Sequence, residues 1–302
     1  MDNKDLENKF KNFNGSVYFN YSLKKLNWLN IGGNAKFFFK PKTLQDLLKF
    51  LKIKKDNQIF FVIGAGSNIL FKDDIFEGTV IKLSNNFSRI SMLNENTIVA
   101  GSGVLDKTLS KFALENSLGG FEFLSCIPGS IGGGIRMNAG CFGREFKDIL
   151  ISVQAVNKSG EVFTIPSKDI IFGYRSCDLP KDLIFISASF LGKKKNKKTI
   201  EEEVNNLKTK KEIAQPTRVK TGGSTFKNPI EETNKKVWEI IKESVPGDIQ
   251  FGDAIISDKH SNFFVNKGNA SYKDMKKLID YVKESVKNKT GIILDLEIVL
   301  VE

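Results

Sequence analysis

The stretch from Phe121 to Gly143, FEFLSCIPGSIGGGIRMNAGCFG, sets the tightest limit on how this chain can fold. It is apolar enough to be buried, yet it holds six glycines and one proline. Glycine weakens helix and strand interiors alike, so an ordinary element of either kind is not expected here. The stretch reads instead as backbone laid against a large ligand. Ser130 and the glycines after it can turn N–H groups toward phosphate oxygens. A glycine-rich connector inside a core is the plainer alternative, but a connector rarely carries Arg136 and Asn138 in the same buried run.

Two related turns come earlier. Ala35 to Phe39 reads as a strand stopped by Pro41, and Thr43 caps a helix with apolar residues at Leu44, Leu47, Leu48 and Leu51. Ile59 to Ile63 is a short strand running into Gly64-Ala65-Gly66-Ser67-Asn68. This is an α/β unit with a glycine turn at a strand end. Thr97 to Ala100 is a further strand that meets Gly101-Ser102-Gly103, followed by an amphipathic helix from Leu105 to Leu114. Three such turns offer more phosphate-cradling backbone than one mononucleotide needs, and a dinucleotide cofactor fits them.

The rest of the chain predicts a hairpin from Ile149 to Ile165 around Ser159-Gly160, a loop holding Tyr174 and Arg175, and a β-rich run from Leu183 to Phe190. GKKKNKK at 192–198 is polar and aperiodic and reads as a linker. Beyond it come a helix from Thr199 to Ile213, a second glycine-polar cluster from Thr221 to Pro229, a strand from Ser261 to Asn266, and a helix capped by Ser271. A closing strand runs from Gly291 to Val301. The expected domains are an N-terminal helix or arm over 1–21, a cofactor domain over 22–191, the linker, and a substrate domain over 199–302.

Several functions are excluded. The net charge of +11 suggests nucleic acid, but only five of the 46 basic residues are arginine, the residue that reads bases and phosphates through a planar fork. The lysines lie in solvated stretches, and no nucleic-acid partner is expected. The N-terminus is too polar for a secretory signal, and no apolar run approaches the roughly 20 residues of a membrane span. Three cysteines without a CxxC pair fit reduced thiols in a cytoplasm, with no metal site. GxxxxGK[ST] is absent, and Ile69 stands where GxGxxG needs its third glycine. The single histidine, His260, has no GxSxG elbow to serve.

Read together, Ile31-Gly32-Gly33, IGAGSNIL (63–70), the 121–143 stretch, GYRS (173–176), QPTRVKTGGSTFKNP (215–229), SDKHSNFFVNKGNAS (257–271) and LDLE (294–297) resemble the UDP-N-acetylenolpyruvoylglucosamine reductase family, of the shorter type lacking a tyrosine-bearing loop insertion. The motifs run in family order over nearly the whole chain. Departures are modest: Lys211 stands where arginine is usual, Asp295 where glutamate is usual, and Gly134 and Cys141 where alanine is common.

The resemblance implies an α+β fold. It comprises an FAD-binding domain of the vanillyl-alcohol-oxidase (PCMH) type in two α/β subdomains, and a C-terminal α/β substrate-binding domain. It implies non-covalent FAD and NADPH as hydride donor, with a UDP-sugar as substrate and no other partner; a monomer is expected. Hydride passes from NADPH to the flavin and then to the enolpyruvyl C3. Cofactor contacts are expected from Gly64, Ala65, Gly66, Ser67, Asn68, Gly101, Pro128, Gly129, Ser130, Gly133 and Arg136. Arg175, Ser224 and Glu297 are the expected catalytic residues, and Tyr174, Lys227 and Asn228 the substrate contacts. Each has an ordinary alternative. Arg175 could serve a surface ion pair, Ser224 a turn, and Glu297 an exposed strand. A different flavin oxidase is the rival enzyme, and a basic nucleotide- or RNA-binding protein the rival without catalysis.

Overall fold

A computed structural model describes residues 14–53 and 59–302. The chain divides into two compact units. The first comprises the chain up to Phe19, Lys36–Ala65 and Glu77–Thr209; the second comprises Asn20–Ala35, Gly66–Phe76 and Lys210–Glu302.

The first unit contains a four-stranded and a five-stranded sheet. The four-stranded sheet has the spatial order Ser16–Ser22, Asn34–Lys40, Phe76–Ile81, Phe60–Val62. Phe60–Val62 and Phe76–Ile81 run parallel, as strands joined by a crossover must. The helix Leu44–Ile53 buries Leu47, Phe50 and Leu51 in a core with Phe39, Ile81 and Ile184. Its start is fastened reciprocally: Thr43 Oγ1 accepts from the Asp46 amide at 3.1 Å, and the Thr43 amide donates to the Asp46 carboxylate at 3.0 Å.

The five-stranded sheet runs Val162–Pro166, Leu150–Val156, Ile184–Leu191, Thr97–Gly101, Ile90–Met92, with antiparallel pairing throughout. The first two strands form the expected hairpin, with Gly160 at φ +83° in its turn. The helix Asp106–Glu115 and the 121–146 segment pack on this sheet through Leu109, Phe121, Phe146 and Phe190.

In the second unit, Thr221–Ser224, His260–Asn266, Ala254–Ser257 and Gln250–Phe251 form one sheet in that order. The helices Val237–Ser244 and Tyr272–Thr290 pack on it through Ile241, Met275, Leu278 and Val282. Ser271 caps the second helix, accepting from the Asp274 amide at 3.1 Å. Ile69–Phe71 pairs in parallel with Val299–Val301.

Four features differ from the sequence reading. Residues 16–22 are a strand, and the remainder of the expected N-terminal helix, residues 1–13, lies outside the described residues. Residues 192–198 are part of the first unit: Lys193–Lys194 pairs with Leu118–Gly119, and Lys195 bridges Glu122 and Glu203 at 3.3 and 2.6 Å. The closing strand is only Val299–Val301, and within 291–298 only Leu296 bridges, to Phe226. Ile131–Arg136 is a short helix despite three consecutive glycines. Close packing overrides propensity there: a Cβ on Gly134 would lie 2.2 Å from the buried Phe146 ring, and one on Gly132 3.1 Å from Ser102 Cβ.

Candidate active site

The glycine turns of the first unit converge. A Cβ built on Gly64 would stand 2.3 Å from Ser130 Oγ. The Ile131 amide donates to the Val104 carbonyl at 2.9 Å, and the Gly132 amide to the Ser102 carbonyl at 2.9 Å. The Asp106 amide donates to Gly129 at 3.2 Å. Residues 64, 101–106 and 129–134 are thus tied into one patch, with Pro128 and Gly133 exposed on it. Buried polar atoms gather here without protein partners: Ser102 Oγ, Ser130 Oγ and both Asp106 carboxyl oxygens. Ser130 precedes a helix, where a serine hydroxyl normally caps, yet its side chain makes no cap bond. A buried hydroxyl without a partner is costly unless a ligand completes it. Bare backbone flanked by such hydroxyls fits the diphosphate of a dinucleotide cofactor. Burial pushes the Asp106 carboxyl well above the usual carboxylate range.

Other expected cofactor residues have different surroundings. Arg136 donates to the carbonyls of Leu179, Pro180 and Leu183 at 2.8, 3.0 and 3.0 Å, and stacks 4.3 Å over the Phe185 ring. It holds the 179–183 turn in place. Gly66, Ser67 and Asn68 belong to the second unit, while Gly64 and Ala65 belong to the first. Gly66 has φ +71°, and a Cβ there would lie 2.0 Å from the Leu26 carbonyl oxygen. The Asn68 side-chain amide donates to the Glu297 carbonyl at 2.9 Å, and its own carbonyl accepts from Val299 at 3.0 Å. Asn68 therefore fixes the backbone at Glu297.

Arg175 sits in the first unit, in the two-residue turn between Phe172–Gly173 and Ser176–Cys177. Its φ is +55°, an uncommon conformation for a residue with a side chain. The guanidinium donates to the Gly140 carbonyl at 2.8 Å, lies 3.7 Å from Glu145, and stacks 4.9 Å from the Tyr174 ring centroid.

Ser224 and Glu297 sit together in the second unit. The pairing of Thr221–Ser224 with His260–Asn266 slips between Thr221↔Val265 and Ser224↔Phe263. Gly222 and Gly223 occupy the slip. A Cβ on Gly222 would meet Ile298 Cδ1 at 2.6 Å, and Gly223 needs φ +79°. Such bulges re-aim the following side chain, here Ser224. Thr225 accepts from the Glu297 amide at 2.9 Å, Phe226 pairs with Leu296, and the Lys227 amide donates to Asp295 at 2.9 Å. Ser224 and Glu297 therefore occupy adjacent, hydrogen-bonded segments. Asn228 accepts from the Val237 amide at 3.0 Å, so its side-chain oxygen starts a helix.

Asn262 escaped the sequence reading. It is buried, accepts from the Phe226 amide at 2.9 Å and donates back to the Phe226 carbonyl at 2.9 Å. A buried side-chain amide copies one step of a β-ladder beside Ser224. Asparagine within the apolar run Phe263-Phe264-Val265 was the available signal. Glu145 was also missed: besides the nearby Asn138 and Lys147, its partner Arg175 lies 30 positions on, in another hairpin. Among the described residues no cluster of His, Cys, Asp or Glu is placed to hold a metal ion, and no helix is long and apolar enough to cross a membrane.

Known proteins share this organisation. The family described as "FAD binding domain" matches residues 35–166, and "UDP-N-acetylenolpyruvoylglucosamine reductase, C-terminal domain" matches 215–301. The UDP-N-acetylenolpyruvoylglucosamine reductase of Pelagibacter ubique is 61% identical over 291 residues, 96% of each chain. That of Rickettsia bellii is 42% identical over 278 residues, covering 92% of this chain and 91% of its own. The crystal structure of the Thermus caldophilus reductase superposes with a TM-score of 0.81 at 28% identity, covering 95% of this chain and 99% of that one. With 61% identity spanning both the glycine-turn patch and the Ser224–Glu297 segments, the chain belongs to the UDP-N-acetylenolpyruvoylglucosamine reductase family.

Proposed function

We propose that this chain is an FAD-containing, NADPH-dependent reductase that converts UDP-N-acetylenolpyruvoylglucosamine to UDP-N-acetylmuramate for peptidoglycan synthesis. The observation that carries this is the 61% identity to such a reductase over 96% of the chain. The unpartnered hydroxyls of the glycine-turn patch support the cofactor.

FAD, when bound, would supply hydride transfer from NADPH to the enolpyruvyl group. Ser102, Ser130 and the backbone of 64–65 and 129–134 would hold its diphosphate. Arg175 grips the substrate carboxylate with its fork of donors and stabilises the charge that builds there after hydride arrives at C3. Ser224 Oγ gives the proton to C2. A hydroxyl is a weak acid, but the carbanionic centre beside a carboxylate is a far stronger base, so the transfer runs downhill. Glu297, on the neighbouring segment, helps hold that centre. Tyr174, Lys227 and Asn228 bind substrate. The chain works as a monomer in the cytoplasm, where Cys126, Cys141 and Cys177, none of them in a disulfide, are at home.

Absorbance spectroscopy under anaerobic conditions tests the reading. The purified protein is yellow, NADPH bleaches the flavin band, and UDP-N-acetylenolpyruvoylglucosamine restores it. A colourless protein that takes up no added FAD, or a bleached band recovered by oxygen and not by the sugar nucleotide, refutes it.

A further inference from the structure

Glu145 lies outside every motif that points to chemistry, yet two hairpins of the first unit meet on it. One is Gly140–Cys141 paired with Arg144–Glu145; the other carries Tyr174 and Arg175 at its tip. One carboxylate oxygen, Oε1, faces Arg175 Nη1 at 3.7 Å. The other, Oε2, accepts from Asn138 Nδ2 at 2.9 Å and from Lys147 Nζ at 2.9 Å. Asn138 is fully buried, donates to the Gly173 carbonyl at 3.0 Å, and accepts from the Lys147 amide at 3.1 Å. It therefore joins both hairpins while orienting Glu145. The Arg175 and Glu145 side chains are 17% and 20% exposed, so their attraction is less screened than at the open surface.

The charges alternate along one line: Lys147 positive, Glu145 negative, Arg175 positive. Glu145 alone would hold the guanidinium in place but cancel much of its pull on an anion. Lys147, 47% exposed, offsets that cancellation from the far side. Its own ammonium is held above the usual lysine range by Glu145. An incoming carboxylate completes the alternation.

We propose that Glu145 is a positioning residue that holds the Arg175 guanidinium, in its left-handed turn, ready for the carboxylate of the sugar nucleotide, and that Lys147 keeps this guanidinium electrostatically available. The proposal rests on the reading of Arg175 as the carboxylate-binding residue.

The test is calorimetric binding to the oxidised, FAD-loaded enzyme, comparing UDP-N-acetylmuramate with UDP-N-acetylglucosamine, which lacks the carboxylate. Glu145→Gln keeps an acceptor for Asn138 and removes the charge. It should lower the preference for the carboxylate-bearing ligand about tenfold, a loss of about 1.4 kcal/mol, and leave the other ligand's affinity unchanged. Lys147→Met should lower the same preference about twofold at low salt, as for a partly exposed pair, and serves as the measurement if the first variant does not fold. Equal weakening of both ligands, or an unchanged preference, overturns the proposal and leaves Glu145 as a hairpin brace. Arg175→Ala separates the two levels. If it too leaves the preference intact, the Arg175 reading fails. If it abolishes the preference while Glu145→Gln does not, only the Glu145 proposal fails.

Discussion

Around Ser102, Asp106 and Ser130 in the first unit, buried polar side chains end without a protein partner, whereas around Ser224 and Glu297 in the second, the backbone at Thr225, Phe226, Lys227 and Glu297 is matched by the protein itself. In the proposed cofactor site, a ligand's oxygens would complete these groups. The second is finished before any ligand comes, so that a serine and a glutamate are presented from backbone that need not rearrange. A cradle for a resident cofactor tolerates gaps, because the cofactor fills them throughout the enzyme's life. A group that must meet substrate at each turnover has to be in place beforehand.

The largest expected effect tests the finished region. Ser224→Ala should slow reoxidation of the reduced enzyme by the enolpyruvyl sugar by about 10²–10⁴-fold, the range for a lost general acid, and leave flavin reduction by NADPH intact. Stopped-flow absorbance separates the two steps; equal losses in both would make Ser224 structural. Asn262→Ala comes next. It strands the Phe226 N–H and C=O inside the second unit, at about 1–3 kcal/mol for each unmet group, and urea denaturation should register the loss. Stability unchanged by this variant would mean that the region is not self-sufficient.

A smaller effect tests the unfinished region. Gly64→Ala places a methyl group 2.3 Å from Ser130 Oγ. FAD affinity, read from flavin fluorescence, should fall about tenfold, while the melting temperature of the FAD-free protein stays close to that of the parent. A comparable drop in the FAD-free protein would show that the patch is packed for its own stability.

The smallest effect is a slope. Burial raises the Asp106 carboxyl in the folded chain, so the folded state keeps a proton that the unfolded chain releases above about pH 4. Stability from this group is present at low pH and falls as pH rises toward the folded value. Asp106→Asn should remove that fall, so denaturation curves from about pH 4 to 7 should show a flatter dependence in the variant. Parallel dependences would mean that Asp106 ionises in place.

Local signals were legible in the sequence. Thr43 and Ser271 mark helix starts through their bonds to Asp46 and Asp274, and Gly160 marks the hairpin. The three glycine turns announced a phosphate-sized ligand because bare backbone leaves its mark in composition. Less visible was anything decided by a partner far along the chain. Asn68 looked like a cofactor residue, but its amide reaches a carbonyl 229 positions away. Arg136 was read as a cofactor contact, and three of its five N–H donors go to carbonyls of the 179–183 turn, partners no local pattern announces. Glycines 132–134 argued against a helix until the Phe146 ring showed why no larger residue fits. The roles of Arg175, Ser224 and Glu297 came from the family resemblance, because single serines, arginines and glutamates carry no pattern of their own.

The parallel pairing of Ile69–Phe71 with Val299–Val301 bears on how the chain is made. Lys72 also donates to the Val301 carbonyl at 3.0 Å, so one early segment closes onto the late strand, while Gly33 donates to Lys72 at 2.8 Å within the early part of the chain. At roughly 5–20 residues per second, the ribosome delivers that strand some 10–50 seconds after residue 71. The first unit's last segment ends at Thr209 and emerges well before then. Residues 69–72 meanwhile wait for their pairing with the late strand.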